Sequence, residues 1–354
     1  MFAKNFPLVR RKLLCWYDLN KRDLPWRRTR DPYAIWISET MLQQTQVKTV
    51  LPYYVKFLTA FPSVAALDRA PLENVLRAWS GLGYYRRAEN LKKAARQLML
   101  IHTGNLPRTY DQLRALAGIG DYTAGAILSI AFNQRYPAFD GNARRVLERN
   151  LLLADEKKLR AAAGAVVPLS RPGDFNQALM ELGATICLPK QPLCDRCPLA
   201  SVCAAKLRNH TFLRSKQKSQ VKYKNVTWPI AIIRHHGKIL LRRRADAGLL
   251  ARLWELPGGE LTRPDDEITQ LRTELEAFPL KPIRPRRIGE VRHSITHRRI
   301  RAPIYLIEYP AAAKISLSNN LWRWTAPGAV RYQAVSALTT KAVKALEQYE
   351  TSSL

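Results

Sequence analysis

Four of the chain's five cysteines fall within the seventeen residues CLPKQPLCDRCPLASVC, from Cys187 to Cys203, at the spacing C-x6-C-x2-C-x5-C. Four thiols this close in sequence restrict the local chain more than any other feature. Three readings compete: disulfides, a thiolate metal site, and cysteines that are merely buried. The N-terminal stretch MFAKNFPLVRRKLLCWYDLN has neither the continuous apolar core nor the small-residue cleavage site of a secretory leader. An intracellular protein is therefore expected, and disulfides are rare in that setting. Buried cysteines have no reason to cluster, and the intervening Pro189, Pro192, Asp195, Arg196 and Pro198 do not suit a core helix or strand. A metal site leads. Zinc modules usually present two C-x2-C pairs, or cysteine pairs with histidines at set spacings, whereas here single cysteines flank one C-x2-C and no histidine intervenes. An iron-sulfur cubane suits such a compact all-thiolate set equally well. The spacing by itself leaves zinc and cubane open.

Charge narrows the partner. The 354 residues include 58 basic and 28 acidic ones, a formal balance of +30. An excess of that size points to a polyanion, most often nucleic acid, although a generally basic surface is the alternative. The basic residues are spread along the chain, which argues for folded basic surfaces over a disordered arm. No apolar run approaches the ~20 residues of a membrane span, so no membrane partner is expected.

The pattern of the chain changes once. From Pro7 to about Ala205 apolar residues recur at three- and four-residue steps in LVRRKLLCWYDL, AIWISETMLQQTQVKTVLPYYVKFL, ENVLRAW, AENLKKAARQLML, YDQLRAL, TAGAILSIAF and NARRVLERNLLL. Thr109-x-x-Gln112 reads as a capping box. Residues 1–205 are expected to form a helical domain. Residues 206–225 are polar and basic and read as a linker. In 226–354, WPIAIIR-HHG-KILLRRR reads as a hairpin, HSITHRRIRAPIYLIEY alternates as strands do, and LTTKAVKALEQY reads as a closing helix, making a smaller α+β domain.

Three places in the helical part carry residues suited to chemistry. In LAGIGDYTAGAILSIAF, Gly118 and Gly120 separate an incoming helix from an outgoing one rich in small residues. Glycine permits the positive φ of a tight hairpin, and the free N–H groups at such a helix start suit a phosphate; a plain helical corner is the alternative. Asp140 in FDGNARRV precedes another helix, where an N-cap is the ordinary role. In ISETMLQQTQV a helical reading places Glu39, Gln43 and Gln46 on one polar stripe, either functional or a solvated face.

The hairpin with its downstream aspartate, followed by the four cysteines, resembles the helix-hairpin-helix DNA glycosylase superfamily that includes endonuclease III and the MutY adenine glycosylases. The resemblance covers nearly the whole chain. It implies a [4Fe-4S] cluster on Cys187, Cys194, Cys197 and Cys203, ordering the loop Leu188 to Leu193, with Lys190, towards the DNA backbone. Endonuclease III types carry a lysine nucleophile where GIGDYTAG has Tyr122, and a tyrosine forms no Schiff base. Adenine glycosylases have this tyrosine together with PWR, SETMLQQTQV and GLGYY, all present at Pro25–Arg27, Ser38–Val47 and Gly81–Tyr85. The resemblance therefore implies a monofunctional enzyme that hydrolyses the bond to adenine mispaired with 8-oxoguanine or guanine in double-stranded DNA. It is expected to work as a cytoplasmic monomer, nucleoid-associated in a bacterium.

By the same resemblance Glu39 protonates adenine at N7, and burial among Trp26, Trp36 and Leu42 would keep its proton near neutrality. Asp140 stabilises the oxocarbenium-like sugar, directly or as an adduct. Asn142 and Tyr122 orient the acid, the aspartate and the water. Tyr84 and Gln44 enter the DNA at the mispair, although Tyr84 also reads as a core aromatic. Trp26, Arg27, Leu42 and Glu181 border the base pocket. In the C-terminal part, LWELPGGEL resembles the approach to a Nudix catalytic helix, which raises a pyrophosphatase alternative. The motif G-x5-E-x7-R-E-U-x-E-E, whose carboxylates hold magnesium, has Asp265, Thr273, Glu274, Ala277 and Phe278 at its E, R, E and terminal E-E positions when counted from Gly259. Without the terminal carboxylate pair, a Nudix-like domain kept for recognising 8-oxoguanine is expected. Thr296 and His297 stand where that family reads the lesion, and Ile295 replaces its aromatic. A DNA-binding module without catalysis, in which Glu39 and Asp140 are structural, is the non-enzymatic reading.

Overall fold

The computed structural model describes residues 5–208, 223–246, 248–261, 267–275, 284–309, 317 and 321–352. Most of the linker reading at 206–225 lies outside them, as do Asp265, Ala277 and Phe278 of the Nudix reading. Two compact units emerge: Met1–Ala70 with Arg86–Gln220, and Pro71–Tyr85 with Val221–Leu354.

The first unit is helical: α1 (Phe6–Asn20), α2 (Pro32–Leu42), α3 (Val47–Ala60), α4 (Val64–Arg69), and, after the α5 segment (Leu72–Ala78) that groups with the second unit, α6 (Arg86–His102), α7 (Tyr110–Arg114), α8 (Asp121–Ile130), α9 (Gly141–Leu151), α10 (Glu156–Val166), α11 (Pro172–Thr185) and α12 (Ala204–Leu207). Helices α2 and α8 pack on each other and have almost no solvent face. Tyr33 to Met41 and Thr123 to Ile130 are all buried. A helix apolar on every side must be interior. The polar members of α2 are satisfied locally: Ser38 donates to the Ile35 carbonyl at 2.9 Å and Thr40 to Trp36 at 2.8 Å. Helices α1, α9, α10 and α11 form a second core around Leu13, Tyr17, Leu147, Phe175 and Leu182.

Two local readings are corrected. The stretch ISETMLQQTQV is not one helix: α2 stops at Leu42, Gln44 takes φ 58°, and Gln46 is the N-cap of α3, so Glu39, Gln43 and Gln46 share no stripe. The break is imposed from a distance. The buried Arg87 of α6 donates to the carbonyls of Thr40, Met41 and Gln43 at 3.0, 2.7 and 2.5 Å, taking the groups that a further turn would have used. Thr109 does occupy the N-cap of α7, but its hydroxyl donates to the Gln112 side-chain oxygen at 2.7 Å and accepts no helix amide, so the capping box is not closed.

The second unit is a seven-stranded mixed sheet: β1 (Lys224–Thr227), β2 (Ile230–His235), β3 (Lys238–Arg243), β4 (Trp254–Glu255), β5 (Arg286–Ile295), β6 (Arg298–Glu308) and β7 (Trp322–Thr325), in the order β1-β6-β2-β3-β4, with β5 on β6 and β7 on β3. The expected hairpin forms across His236 and Gly237, whose φ values of 47° and 70° give the turn that suits a twisted two-residue connection. Helix α14 (Ala337–Ser352) covers one face through Leu338, Ala342 and Leu346, and α13 (Glu267–Glu274) reaches the other through Leu271. The Pro71–Tyr85 segment joins this unit by hydrogen bonds. Ser80 and Tyr85 both donate to the Val335 carbonyl, at 2.8 and 2.9 Å, and Trp254 donates to Glu73 at 3.0 Å.

Candidate active site

Glu39 sits inside α2, 5% exposed. Helix α8 presents Tyr122 to it, and the tyrosine hydroxyl donates to Glu39 Oε2. Asp140 is the N-cap of α9 and faces the same pair: its carboxylate accepts from the amides of Asn142 and Ala143 at 3.0 and 2.7 Å and from Asn142 Nδ2 at 2.9 Å. The capping role read from the sequence and the functional one are therefore compatible, since capping uses one edge of the carboxylate while its charge still acts on Glu39.

The two carboxyls have different surroundings. Burial, with a further push from the negative Asp140, raises Glu39 to about 7, against the hydrogen bond from Tyr122 and the Arg27 charge. Burial also raises Asp140, but three donors and Arg145 oppose it and favour the anion. One group is suited to hold a proton near neutrality and the other to carry charge. Tyr122 is pushed well above its ordinary range, by burial first and then by both carboxyls, so it stays a phenol.

Beside this pair lies an ionic cluster. Glu181 of α11, buried, accepts from Arg22 at 2.6 and 2.7 Å and from Arg27 at 2.7 Å. Burial raises this carboxyl, but the two guanidinium groups outweigh it and hold it below the usual range. Trp26, in the 3₁₀ turn Pro25–Arg27, is buried edge-on against Tyr54 with ring centres 5.2 Å apart. Leu42 closes α2 half-buried, and Gln44 is exposed in the turn after it. Gly118 takes φ 77°, and a Cβ there would lie 2.7 Å from Cβ of Asn90; Gly120, the N-cap of α8, has extended backbone and open space where a Cβ would be. Only the first of the two glycines is thus demanded by conformation. Tyr84, Thr296 and His297 belong to the second unit. Tyr84 is 51% exposed, which rules out the core-aromatic reading. Thr296 and His297 form the exposed turn between β5 and β6, with Thr296 at φ 53°.

Cys187, Cys194, Cys197 and Cys203 line one cavity, walled by apolar groups including Val146, Leu182, Ile186 and Leu199. Among the described residues no three His, Cys, Asp or Glu side chains are gathered so as to hold a single metal ion. Two arginines of α9 tie this loop to the rest of the unit. Arg149 donates to Cys187 Sγ at 3.3 Å and to the carbonyls of Leu188 and Pro189 at 2.7 and 2.8 Å, leaving Lys190 exposed beyond them. Arg145 donates to the Cys187 carbonyl at 2.8 Å, to the Gly183 carbonyl at 2.6 Å and to Asn142 Oδ1 at 2.9 Å, so one side chain spans the α9 start and the cysteine loop. The helices meet closely there: a Cβ on Gly183 would stand 2.6 Å from Cβ of Asn142. Sequence reading missed Arg22, Arg87, Arg145, Arg149 and Met180, whose sulfur lies 3.3 Å from the Tyr122 hydroxyl. Nothing local marks them, because each acts on a segment far from it in the chain.

Comparison with known proteins agrees with this arrangement. Residues 37–168 match the profile of the HhH-GPD superfamily base excision DNA repair proteins, and residues 230–345 match the NUDIX domain. The human adenine DNA glycosylase is 35% identical over 94% of this chain and 72% of its own length. That of Buchnera aphidicola subsp. Baizongia pistaciae is 37% identical over 87% of each. The chain belongs to the adenine DNA glycosylase family. Among solved structures, a thermostable thymine-DNA glycosylase superposes with a TM-score of 0.55 at 30% identity, over 58% of this chain and 98% of its own. A trapped endonuclease III–DNA covalent intermediate gives 0.52 at 20% identity over 59% and 99%, a likeness of fold alone. In this adenine glycosylase family member the Nudix-like sequence carries Ala277 and Phe278 in place of the terminal carboxylate pair of a pyrophosphatase, and the remaining Glu274 is engaged by Arg242 at 2.5 Å and Gln270 at 3.1 Å.

Proposed function

We propose that the chain is a monofunctional DNA glycosylase of base excision repair, acting as a monomer in the cytoplasm on adenine opposite 8-oxoguanine or guanine. The observation that carries this reading is the buried Glu39 carboxyl, raised to about 7, in contact with Tyr122 and facing a hydrogen-bonded Asp140. Adenine is a poor anionic leaving group. Glu39 delivers its proton to N7 as the glycosidic bond breaks, so that neutral adenine departs. The sugar becomes an oxocarbenium-like cation, and the Asp140 carboxylate opposes that charge from the α9 N-terminus. Asn142 holds Asp140, and Arg145 holds Asn142. The target base must first leave the stack, and Trp26, Arg27, Leu42 and Glu181 are the groups assigned to its pocket. Gly118 and Gly120 bring backbone N–H groups to a phosphate, while Gln44 and Tyr84 meet the mispair.

The cysteine centre fits a [4Fe-4S] cluster better than a single zinc ion. Ligands of one ion converge at about 2.3 Å from a common point, whereas the four thiolates of a cubane bind separate irons around a volume. Four thiols lining one cavity, with a guanidinium beside Cys187, match the second case. Such a cluster supplies a rigid crosslink to the loop carrying Lys190 and takes no part in the glycosidic chemistry. Anaerobically purified protein is expected to contain four irons and four sulfides per chain with broad absorption near ~400 nm, and Cys197→Ser to lose that absorption and to melt at lower temperature. Stoichiometric zinc without acid-labile sulfide would refute it.

A single-turnover assay on A:8-oxoguanine, A:G and C:G duplexes tests the function. Adenine should be released from the first two only, leaving an abasic site that breaks after added base or heat, because the Tyr122 position offers no amine. Failure to release adenine, or spontaneous nicking trapped by borohydride, refutes the reading. In the same assay Thr296→Ala/His297→Ala should lose roughly 5- to 100-fold of the preference for A:8-oxoguanine over A:G, the range that one or two hydrogen bonds in a desolvated site command.

A further inference from the structure

The Tyr122 hydroxyl has one hydrogen and two acceptors within reach: Glu39 Oε2, and Met180 Sδ at 3.3 Å. With Glu39 ionised, that hydrogen belongs on the carboxylate, by far the stronger acceptor. With Glu39 protonated through Oε2, the carboxyl O–H becomes a donor. The phenol oxygen can accept it only if its own hydrogen turns elsewhere. In a site this enclosed, a hydroxyl hydrogen without an acceptor would oppose that arrangement. The thioether of Met180 is a weak acceptor, strong enough to satisfy the hydrogen and too weak to compete with a carboxylate. We propose that Met180 is a positioning residue of the acid: by receiving the Tyr122 hydrogen it allows the tyrosine to accept from protonated Glu39, and so favours the proton-loaded enzyme before substrate binds. The inference rests on Glu39 being the acid, and concerns how that acid keeps its proton.

The other groups around Glu39 do not offer this alternative. Asp140 at the α9 start raises its pKa and Arg27 lowers it, both by charge. From α3 the buried Tyr54, packed on Trp26, is pushed up to about 12 and stays neutral. From α6, Arg87 is engaged on the carbonyls at the end of α2. From α11, Glu181 is held by Arg22 and Arg27. A substitution at position 180 leaves all of these charges in place.

The test is the pH dependence of kcat/KM for adenine excision from an A:8-oxoguanine duplex, which reports ionisations of the free enzyme. Full-length wild type is compared with Met180→Leu, which keeps volume but offers no acceptor, and with Met180→Gln, which restores one. A thermal melt accompanies each variant. The basic limb is expected to move to lower pH by roughly half a unit to one unit in M180L and to return in M180Q. In a Tyr122→Phe background, where there is no hydroxyl to satisfy, M180L should leave the limb where Y122F alone puts it. A packing role would scale the rate at every pH and leave the limb in place. An unmoved limb in M180L, an equal displacement in M180Q, or the same displacement in the Y122F background overturns the proposal. A wild-type profile with no basic limb that Glu39→Gln abolishes overturns the acid assignment as well.

Discussion

Glu39→Gln is expected to reduce single-turnover adenine excision by at least about 10²-fold while leaving affinity for the mispaired duplex within a few-fold of wild type. The substitution preserves shape in a fully packed helix, and the glutamine oxygen still accepts from Tyr122. What it removes is the transferable proton. The same variant carries a stability signature with a definite sign. The Glu39 pKa is raised from its ordinary 4.5 to about 7 in the folded protein, so the native state holds this proton more tightly than the unfolded chain. Its contribution to stability is therefore complete below about 4.5 and is lost as pH rises through about 7. The melting temperature of wild type should include a decline across that window that E39Q lacks. Near-normal excision in E39Q would reject the acid assignment, and identical pH–stability curves would reject the burial that supports it.

How much of this site the sequence could show depended on the distance between interacting residues. The gathering of the four cysteines around one cavity was legible because all four lie within one short segment, and their spacing survives without knowledge of the fold. Arg145 and Arg149, which hold that segment, come from a helix about forty positions earlier. They look there like ordinary charges on an amphipathic helix. Asp140 was legible as an N-cap, since a cap is a local motif, but its approach to Glu39 is made by the packing of α2 on α8 and of α8 and α9 on α11, and has no local sign. The polar stripe through Glu39, Gln43 and Gln46 failed for the same reason: Arg87, more than forty residues away, ends the helix that the stripe required. In the second unit the hairpins were readable from period-two alternation and turn residues. The association of Pro71–Tyr85 with that unit was not, because Ser80 and Tyr85 reach the Val335 carbonyl across some 250 positions. Residue patterns alone recovered most of the local chemistry, the unclosed Thr109 capping box excepted, whereas the one long-range pairing anticipated, Tyr122 with Glu39, came through the family resemblance and not through the spacing.

Asp140→Asn separates the two roles that this residue combines. Asparagine is as good an N-cap as aspartate, so the amides of Asn142 and Ala143 keep an acceptor and α9 should start where it does now. The negative charge is gone. If Asp140 were only a cap, excision by D140N would stay within a few-fold of wild type. If its charge opposes a cationic sugar in the transition state, the rate should fall by about 10²-fold or more with the melting temperature little changed. One further loss must be subtracted. An amide at position 140 turns a donor towards Asn142 Nδ2, which now donates to the carboxylate at 2.9 Å, so that contact is lost and Asn142 is disturbed on its other side, where it accepts from Arg145. Asn142→Ala removes the contact while keeping the charge and measures this part alone. The excess loss in D140N over N142A is then the electrostatic term. It should persist at high salt, because the charge acts within a partly buried site and not across solvent. An excess near unity would leave Asp140 as a structural cap and move the stabilisation of the cation to another group.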